Sequence, residues 1–580
     1  MKKLVRSEKG SVTLFLLLIF IGIFFFNAVL IDYSRIMAAS KEVQNGMHAS
    51  VRAVMADYDP ALKEYGLYAI ANPEEVDDVF YTTLANNFTS SIDEDFFRFT
   101  NITLEASDSA VEVSNTLADH DWFEYQVKEE MKYKAIIEAS LAIKDLSIFS
   151  KISGEVEKYQ EKAEEYEKLA EEREELLNKA NRAEKKLISE LNKEEPDLEK
   201  VSEYKTEFRE SVRDAEKKQK SIKGLQKEMD DLTELLEEQG GADDTVDLGV
   251  QEIYHDDYFE DMNVEFDHMQ NDLDTYEEQV NERQEERKTY NKQIEQAKDK
   301  AEDEAQKKAQ AEANKGSAEE RSLYGQKYEY DPSQSADESQ GQELDALYSS
   351  YYNEATAQPD SYAEQSPLNL LQALQEFVDP DMFLNEYTIL HFNNHVSSVK
   401  QKEHVFSEEE VEYVIYGEHS PGANFAKAYV DLLEVRLAIR AIEGIVMFKG
   451  GPLPVTAIAV TAYAASMAAF DVARLVNGME VELTKYARHI KLGYEHYMRI
   501  FLFRKVSNIQ KMSRMQALIS IDTGIDLKDR PVYVVSNAEP SIELLFIPRV
   551  IKALNLVGVM EDRLDENGLY KIRQKAAMYY

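Results

Sequence analysis

The sequence predicts a mainly α-helical protein with a smaller β component. It reads as an α+β chain with a single N-terminal transmembrane helix, a long antiparallel coiled-coil insertion and a helical C-terminal domain ending in β-strands. Three observations predict this. An uncharged apolar run covers Val12 to Ile31. Apolar residues then recur at alternating spacings of four and three through two highly charged stretches between about residues 150 and 305. Period-2 alternation is confined to short pieces, above all RPVYVVSN (530–537) and SIELLFIP (541–548).

The chain opens with a basic leader, residues 1–10, carrying Lys2, Lys3, Arg6 and Lys9. The anchor follows at 11–31 and is marked by Val12, Leu16, Ile19, Gly22, Phe25 and Ile31. About 20 apolar residues at a rise of ~1.5 Å cover the ~30 Å hydrocarbon core. A secretory h-region is shorter and closes on a small-x-small cleavage site, whereas this run passes straight into Asp32, Tyr33, Ser34 and Arg35. The basic flank places the N-terminus in the cytoplasm and the bulk of the chain outside the cell membrane. Gly22 and Asn27 permit close helix approach or one interhelical hydrogen bond.

An amphipathic stalk is expected at 32–58, where Ile36, Ala39, Val43, Met47, Val51 and Val54 keep helical spacing until Asp59-Pro60 ends it. Residues 59–150 read as a small α/β segment. In it LKEYGLYAIA (62–71) is an aromatic cluster interrupted by Gly66, FFRFTNITLEAS (96–107) alternates like a strand, and DWFEYQVKEEMKYKAIIEASL (121–141) reads as a helix.

The arm at 151–315 has two seams. One runs from Ile152 through Leu177, Ala180 and Leu187 and resumes beyond Pro196 at Val201, Phe208, Val212 and Ala215. The other runs through Phe266, Met269, Tyr276, Val280, Tyr290, Ala297, Ala301 and Ala305, after a turn at QGGADDTVDLG (239–249). This is coiled-coil spacing. It fits either a helical hairpin or, if the outgoing arm folds back at Pro196, a three-helix arm. The same seams suit coiled-coil self-association.

Residues 316–366 are rich in Ser, Gln, Asp and Tyr and read as an acidic linker. The C-terminal domain, 367–580, has helices at LLQALQEFV (370–378), after a capping box of Ser407 and Glu410, and across 423–448. Pro452 to Phe470 is uncharged but mostly small residues, so it reads as a buried core helix rather than a second span. The final strands are expected to pair with each other, with LYKIRQKAAMYY (569–580) supplying a last one.

Composition limits function. Lys and Arg total 66 against 110 Asp and Glu, a formal charge of −44. A chain this acidic repels phosphate backbones and anionic lipid surfaces, so nucleic acid is not an expected partner. The absence of cysteine removes disulfides, thiolate zinc sites and cysteine nucleophiles together, and suits an exported bacterial envelope protein. There is no G-x-S-x-G, H-E-x-x-H, P-loop or dinucleotide-binding motif, so no catalytic residue, cofactor or metal is expected. His255, Asp256, Asp257, Asp261 and His268 read as a polar entry to the return arm, and Asp562, Asp565 and Asn567 as turn residues. Glu412, Asn424 and Arg436 stand as polar residues within apolar helices. Buried charge needs a partner, so they read as a polar network, with a ligand site as the alternative.

The short basic leader ending in Lys9-Gly10, the hydrophobic helix and the polar exit IDYSRI (31–36) together resemble the TadE/TadG-like family of tight-adherence, Flp-type pilus-assembly proteins. A longer resemblance is to a Gram-positive bacterial family of uncharacterised function that joins such an anchor to a large extracytoplasmic region. It is carried by EYGLYAI (64–70), YQVKEEMKYKA (125–135), 412–442, 466–486 and 492–519. The resemblance implies a structural, minor-pilin-like role among pilus or secretion-apparatus proteins, with prepilin-like processing at Gly10 and Ser11. Such prepilins carry a glutamate five residues after the processing glycine; here that position is Phe15, which favours an intact anchor. The alternative is an anchored extracytoplasmic ligand-binding or sensing module.

Overall fold

The computed structural model describes residues 8–89, 98–132, 162, 165–166, 168–240, 246, 252–255, 257–269, 271–326, 338–356, 382–399, 401–448, 453–485, 488, 490–554, 563–564 and 569–580. The chain is mainly helical with small antiparallel sheets. The strands are β1 (Ile102–Thr103), β2 (Ser109–Thr116), β3 (Val481–Glu482), β4 (Lys491–Leu492), β5 (Pro531–Ala538), β6 (Ser541–Glu543), β7 (Leu569–Lys571) and β8 (Gln574–Tyr579). Two compact units are present. The first comprises Met1–Lys132, Glu343–Pro359 and Met512–Tyr580; the second comprises Tyr133–Gln342 and Asp360–Lys511.

In the first unit, the stretches expected as anchor and stalk form one unbroken helix, Glu8–Ala56, of 49 residues, whose apolar part is long enough to cross a membrane. No proline interrupts it. Its Ala39, Val43, Met47, Val51 and Val54 are buried in a core shared with Val76, Phe80 and Leu84 of the Val76–Phe88 helix and with Val534, Ile542 and Ala576 of the sheets. Gly46 lets the helices approach, because an added Cβ would stand 3.2 Å from Leu84 Cδ1 and 3.3 Å from Phe88. Asp59 then caps the short Pro60–Lys63 helix by accepting from the Ala61 amide.

The strand order is β2-β5-β8 in one sheet and β1-β6-β7 in the other. β5 and β6 therefore do not pair with each other, as their adjacency suggested. Each takes one partner from the N-terminal part of the chain and one from the C-terminus. Thr103 meets Ser541 across 438 residues of sequence. Of the strand expected at 96–107, residues 96–97 lie outside the described residues, and in 98–107 only Ile102–Thr103 is strand; the longer β2 lies in SAVEVSNT, which the sequence reading passed over. SIELLFIP is strand only to Glu543; Ile547–Leu554 is helical. The helix expected at 121–141 is described as His120–Met131, and its remainder lies outside the described residues.

The expected linker carries a helix, Glu338–Ala355. In the first unit, its Leu344 and Tyr351 are fully buried. Tyr351 Oη bonds to Ser520 at 2.7 Å, donates to Asp526 at 3.1 Å and accepts the Leu527 amide at 3.2 Å.

In the second unit the outgoing arm reverses at 192–197, between a helix over 168–191 and the Leu198–Gly240 helix. Asp197 opens the second helix, accepting the Glu199 amide at 3.1 Å. Leu177, Ala180 and Leu187 share a core with Val201, Phe208 and Val212, with Met262 and Phe266 of the Tyr258–His268 helix, and with Tyr276 and Val280 of the Leu273–Ala313 helix. Of the two arrangements left open by the sequence, the fold-back at Pro196 is the one present. The LLQALQEFV stretch lies outside the described residues.

The return helix then packs on the Leu453–Val476 helix. Ala297, Ala301, Ala305, Ala309 and Ala313, one every four residues, bury against Val455, Ala459, Tyr463, Met467 and Phe470. Their small side chains let the backbones come close. On its other side the Leu453–Val476 helix meets Pro421–Met447, where Gly444 leaves only 3.1 Å between an added Cβ and Val460 Cα. Leu453–Val476 is long and apolar enough to cross a membrane, yet most of its apolar surface is covered by these two helices. Replacing Ala305 with Leu should cost about 1–3 kcal/mol through overpacking. The exposed Lys307→Leu should change little. Thermal unfolding followed by circular dichroism distinguishes the two.

Candidate functional site

Glu412, Asn424 and Arg436 do not form one network. Each anchors a separate set of partners in the second unit, and Arg436 holds the largest. Its helix, Pro421–Met447, presents Arg436, Arg440 and Glu443 at four- and three-residue spacing along one face, toward Asp471 of the Leu453–Val476 helix. Arg436 donates to Asp471 Oδ2 through Nε at 2.9 Å and Nη2 at 2.5 Å. Arg440 donates to the same carboxylate at 2.7 and 2.9 Å, and to both Glu443 oxygens at 2.8 and 2.7 Å. Glu443 also accepts from Tyr463 Oη at 3.1 Å and from the Lys485 amide at 2.6 Å. Arg436 reaches further, to the Leu483 and Glu482 carbonyls and to Tyr497 Oη, each at 3.1 Å.

Two guanidiniums and two carboxylates thus balance in charge. The Arg436 and Asp471 side chains have no solvent exposure, and Arg440 and Glu443 have 5% and none. Burial alone would push the Asp471 carboxyl up, but the facing Arg436 and Arg440 outweigh it and hold it below the ordinary range. Asp471 is the shared member. Asp471→Ala leaves two buried guanidiniums with one carboxylate, and a loss of about 3–5 kcal/mol is expected in chemical denaturation. Arg436→Met leaves Asp471 paired with Arg440 and should cost less.

Asn424 serves locally. It accepts the Glu418 amide at 2.8 Å and donates to the Glu418 and Ser420 carbonyls, bracing the start of its helix, where Ser420 is the N-cap. Glu412 is fully buried. Its Oε1 accepts from Tyr494 Oη at 2.6 Å and from the His395 amide at 3.0 Å, while Oε2 has no hydrogen-bond partner. Burial pushes its carboxyl up to about 7, against the pull of these donors. A raised carboxyl favours the folded state while protonated. That contribution is complete below the ordinary glutamate range and is lost as pH rises through about 7. The wild-type protein should therefore lose on the order of 3 kcal/mol more than Glu412→Gln between roughly pH 4 and pH 8. Denaturation midpoints of both proteins across that range measure the difference.

Glu410, expected to close a capping box with Ser407, instead turns inward. Its carboxylate accepts from Lys402 Nζ at 2.8 Å, from the Asn393 amide at 2.8 Å, and faces His404 Nε2 at 3.0 Å. Helix Glu410–Tyr416 starts with no side-chain cap. A loop that needs an internal counter-charge has recruited the glutamate the helix start would have used. Sequence reasoning missed Asp471, Arg440, Glu443, Lys402 and Glu410. The usable signal was charge inside otherwise apolar helices, at Arg440, Glu443 and Asp471.

A further buried polar constellation lies in the first unit, where the apolar run of the long helix meets the first charged residues that follow it. Asp32 is fully buried. Its carboxylate accepts the amides of Leu545 at 3.0 Å, Phe546 at 2.7 Å and Ile547 at 2.6 Å, so it caps the Ile547–Leu554 helix. Arg35 lies 3.6 Å from Asp32 and donates to the Phe99 carbonyl at 2.8 Å. Val12, Leu16, Ile19 and Ile31 are exposed and Phe25 is partly covered. Nothing stands within 4 Å of a Cβ built on Gly22. Gly10 and Ser11 lie within the same helix.

A groove of about 460 Å³ runs along the return helix between Asp274, Glu277, Glu278, Asn281, Glu282 and Glu285. Another, of about 630 Å³, lies among Leu17, Phe20, Ile21, Phe24 and Phe25 of the anchor. Neither touches the buried charges. Among the described residues, no cluster of three or more His, Asp or Glu side chains is placed to hold a metal ion. His255, Asp257, Asp261 and His268 lie exposed at the Tyr258–His268 helix; Asp256, Asp562, Asp565 and Asn567 lie outside the described residues. Comparisons with family models, curated proteins and solved structures returned no match for this chain.

Proposed function

We propose that this chain is a non-enzymatic, single-pass envelope protein with a cytoplasmic N-terminus and an extracytoplasmic bulk. In this reading it is a structural or scaffold component, minor-pilin-like, of a Tad or type IV pilus-like assembly or secretion apparatus. The observation that carries it is the continuity of the Glu8–Ala56 helix. Its N-terminal half exposes Val12, Leu14, Phe20, Phe24 and Phe26, while its C-terminal half is buried in the core of the first unit. Apolar side chains exposed in such a row find a stable setting in lipid or against other membrane helices. A neighbouring membrane helix bound there would be coupled to the folded unit without an intervening loop.

Three further features support a structural role over a chemical one. The charges of the Arg436 and Glu410 clusters are spent on one another. Neither the groove along residues 274–285 nor the one among residues 17–25 holds a paired acid and base beside a nucleophile. The helical arm, read as a coiled coil, offers a long charged surface suited to partners or to a second copy.

Two measurements test the reading. A protease added to intact cells should digest the arm and the C-terminal half; an untouched C-terminal half overturns the topology. A photo-crosslinking residue at Phe20 should capture subunits of a membrane-embedded assembly apparatus; recovery of no such subunit overturns the scaffold role.

A further inference from the structure

The first unit continues down the anchor past the point where the polar residues begin. Ala28, one turn before Asp32, is 3% exposed, although Phe26, Val29, Leu30 and Ile31 around it are open. Phe25, a further turn down the same stripe, is partly covered. The Ile547–Leu554 helix packs against the anchor helix and starts at the amides held by Asp32. Ala28 lies four residues before Asp32, so protein covers the anchor for about 6 Å below the polar exit. That is the depth at which amphipathic helices rest in a bilayer interface, about 5–10 Å.

The helix has the composition for that position. In IPRVIKAL, Ile547 is buried in the core of the first unit and Ile551 packs against it, whereas Arg549 and Lys552 are exposed. The segment contains no acidic residue; Glu543, just before it, stands on β6 ahead of the Asp32 cap. Tyr33 is 57% exposed beside Asp32, and Phe99, held at this level by Arg35, is 45% exposed. Exposed aromatics and basic side chains at the end of a spanning helix are the composition of a headgroup layer. This patch therefore runs against the strongly acidic balance of the whole chain.

We propose that the Ile547–Leu554 helix is an interfacial foot of the first unit. It lies in the outer leaflet of the membrane that the anchor spans, with Arg549 and Lys552 on anionic lipid headgroups and Phe99 and Tyr33 beside them. The proposal rests on the anchor reading above. The foot fixes how far the first unit stands from the bilayer, because Asp32 ties it to one turn of the spanning helix.

The absence of cysteine makes the test direct, since any introduced thiol is unique. Full-length Leu18→Cys, Lys552→Cys and Lys63→Cys proteins are labelled with an environment-sensitive fluorophore. Each is reconstituted in nanodiscs of phosphatidylcholine and phosphatidylglycerol containing nitroxide lipids of defined depth. The Leu18 label should be quenched by nitroxides near the acyl-chain end, the Lys552 label by headgroup nitroxides, and the Lys63 label by neither. Deep quenching at Leu18 with none at Lys552 overturns the foot and leaves the anchor standing. No quenching at Leu18 overturns the anchor and the foot with it. In the Arg549→Gln/Lys552→Gln protein, the preference for spin-labelled phosphatidylglycerol over phosphatidylcholine should fall roughly fivefold per residue. An unchanged preference overturns the headgroup contact.

Discussion

Taking a charged group out of water is costly unless a partner answers it, and that constraint organises both units of this protein. In the second unit the Pro421–Met447 and Leu453–Val476 helices are locked in register because Arg436 and Arg440 share the single carboxylate of Asp471. A shift by one residue along either helix would separate the donors from that carboxylate. In the first unit Asp32 is buried at the end of an apolar run, and three backbone amides from the far end of the chain converge on it. Segments 513 to 515 residues apart in sequence are thereby held together at one turn of the long N-terminal helix.

Small side chains provide the complementary constraint. The alanine row from Ala297 to Ala313 and the glycines at 46 and 444 mark places where packed helices leave little room for a larger side chain. At these positions specificity comes from the absence of atoms, so added volume is felt at once. The charged clusters fix which helices meet and in what register. The small residues fix how near they lie. Glu412 stands apart, because burial pushes its carboxyl up to about 7 and so makes stability fall as pH rises from the ordinary glutamate range through about 7.

These features bear on the scaffold reading through stiffness. The 49-residue helix passes from exposed apolar surface into a packed core with no break. The arm is bound along the alanine row to the Leu453–Val476 helix rather than standing as an independent insertion. Each unit is therefore suited to hold shape and transmit position, which is what an assembly component requires of its parts.

The sequence by itself determined the elements whose signal is local. The N-terminal half of the long helix follows from an unbroken run of apolar residues, its C-terminal half from its 3–4 spacing, and the arm helices from their seams; each pattern is contained within a few turns of chain. The same holds for β5, whose alternation lies within eight residues. Tertiary structure decided the rest. β1 lies in a stretch that alternates like a strand, whereas β2 carries a weak pattern of its own; the partners of both, β6 and β5, lie more than four hundred residues away, and no local pattern names them. Pro196 was legible as a place where a helix can start, but whether the chain reverses there depends on Phe208 and Val212 finding Leu187 and Phe266. Arg436 was legible as a charge needing a partner. With 110 carboxylates in the chain, only the packing of two helices could single out Asp471. Glu410 reads locally as a helix-start residue, but Lys402, His404 and the Asn393 amide draw it inward, and the helix starts uncapped. Asp32 stands at the polar exit as its neighbourhood suggests, but its partners are amides more than five hundred residues away, which no local pattern announces.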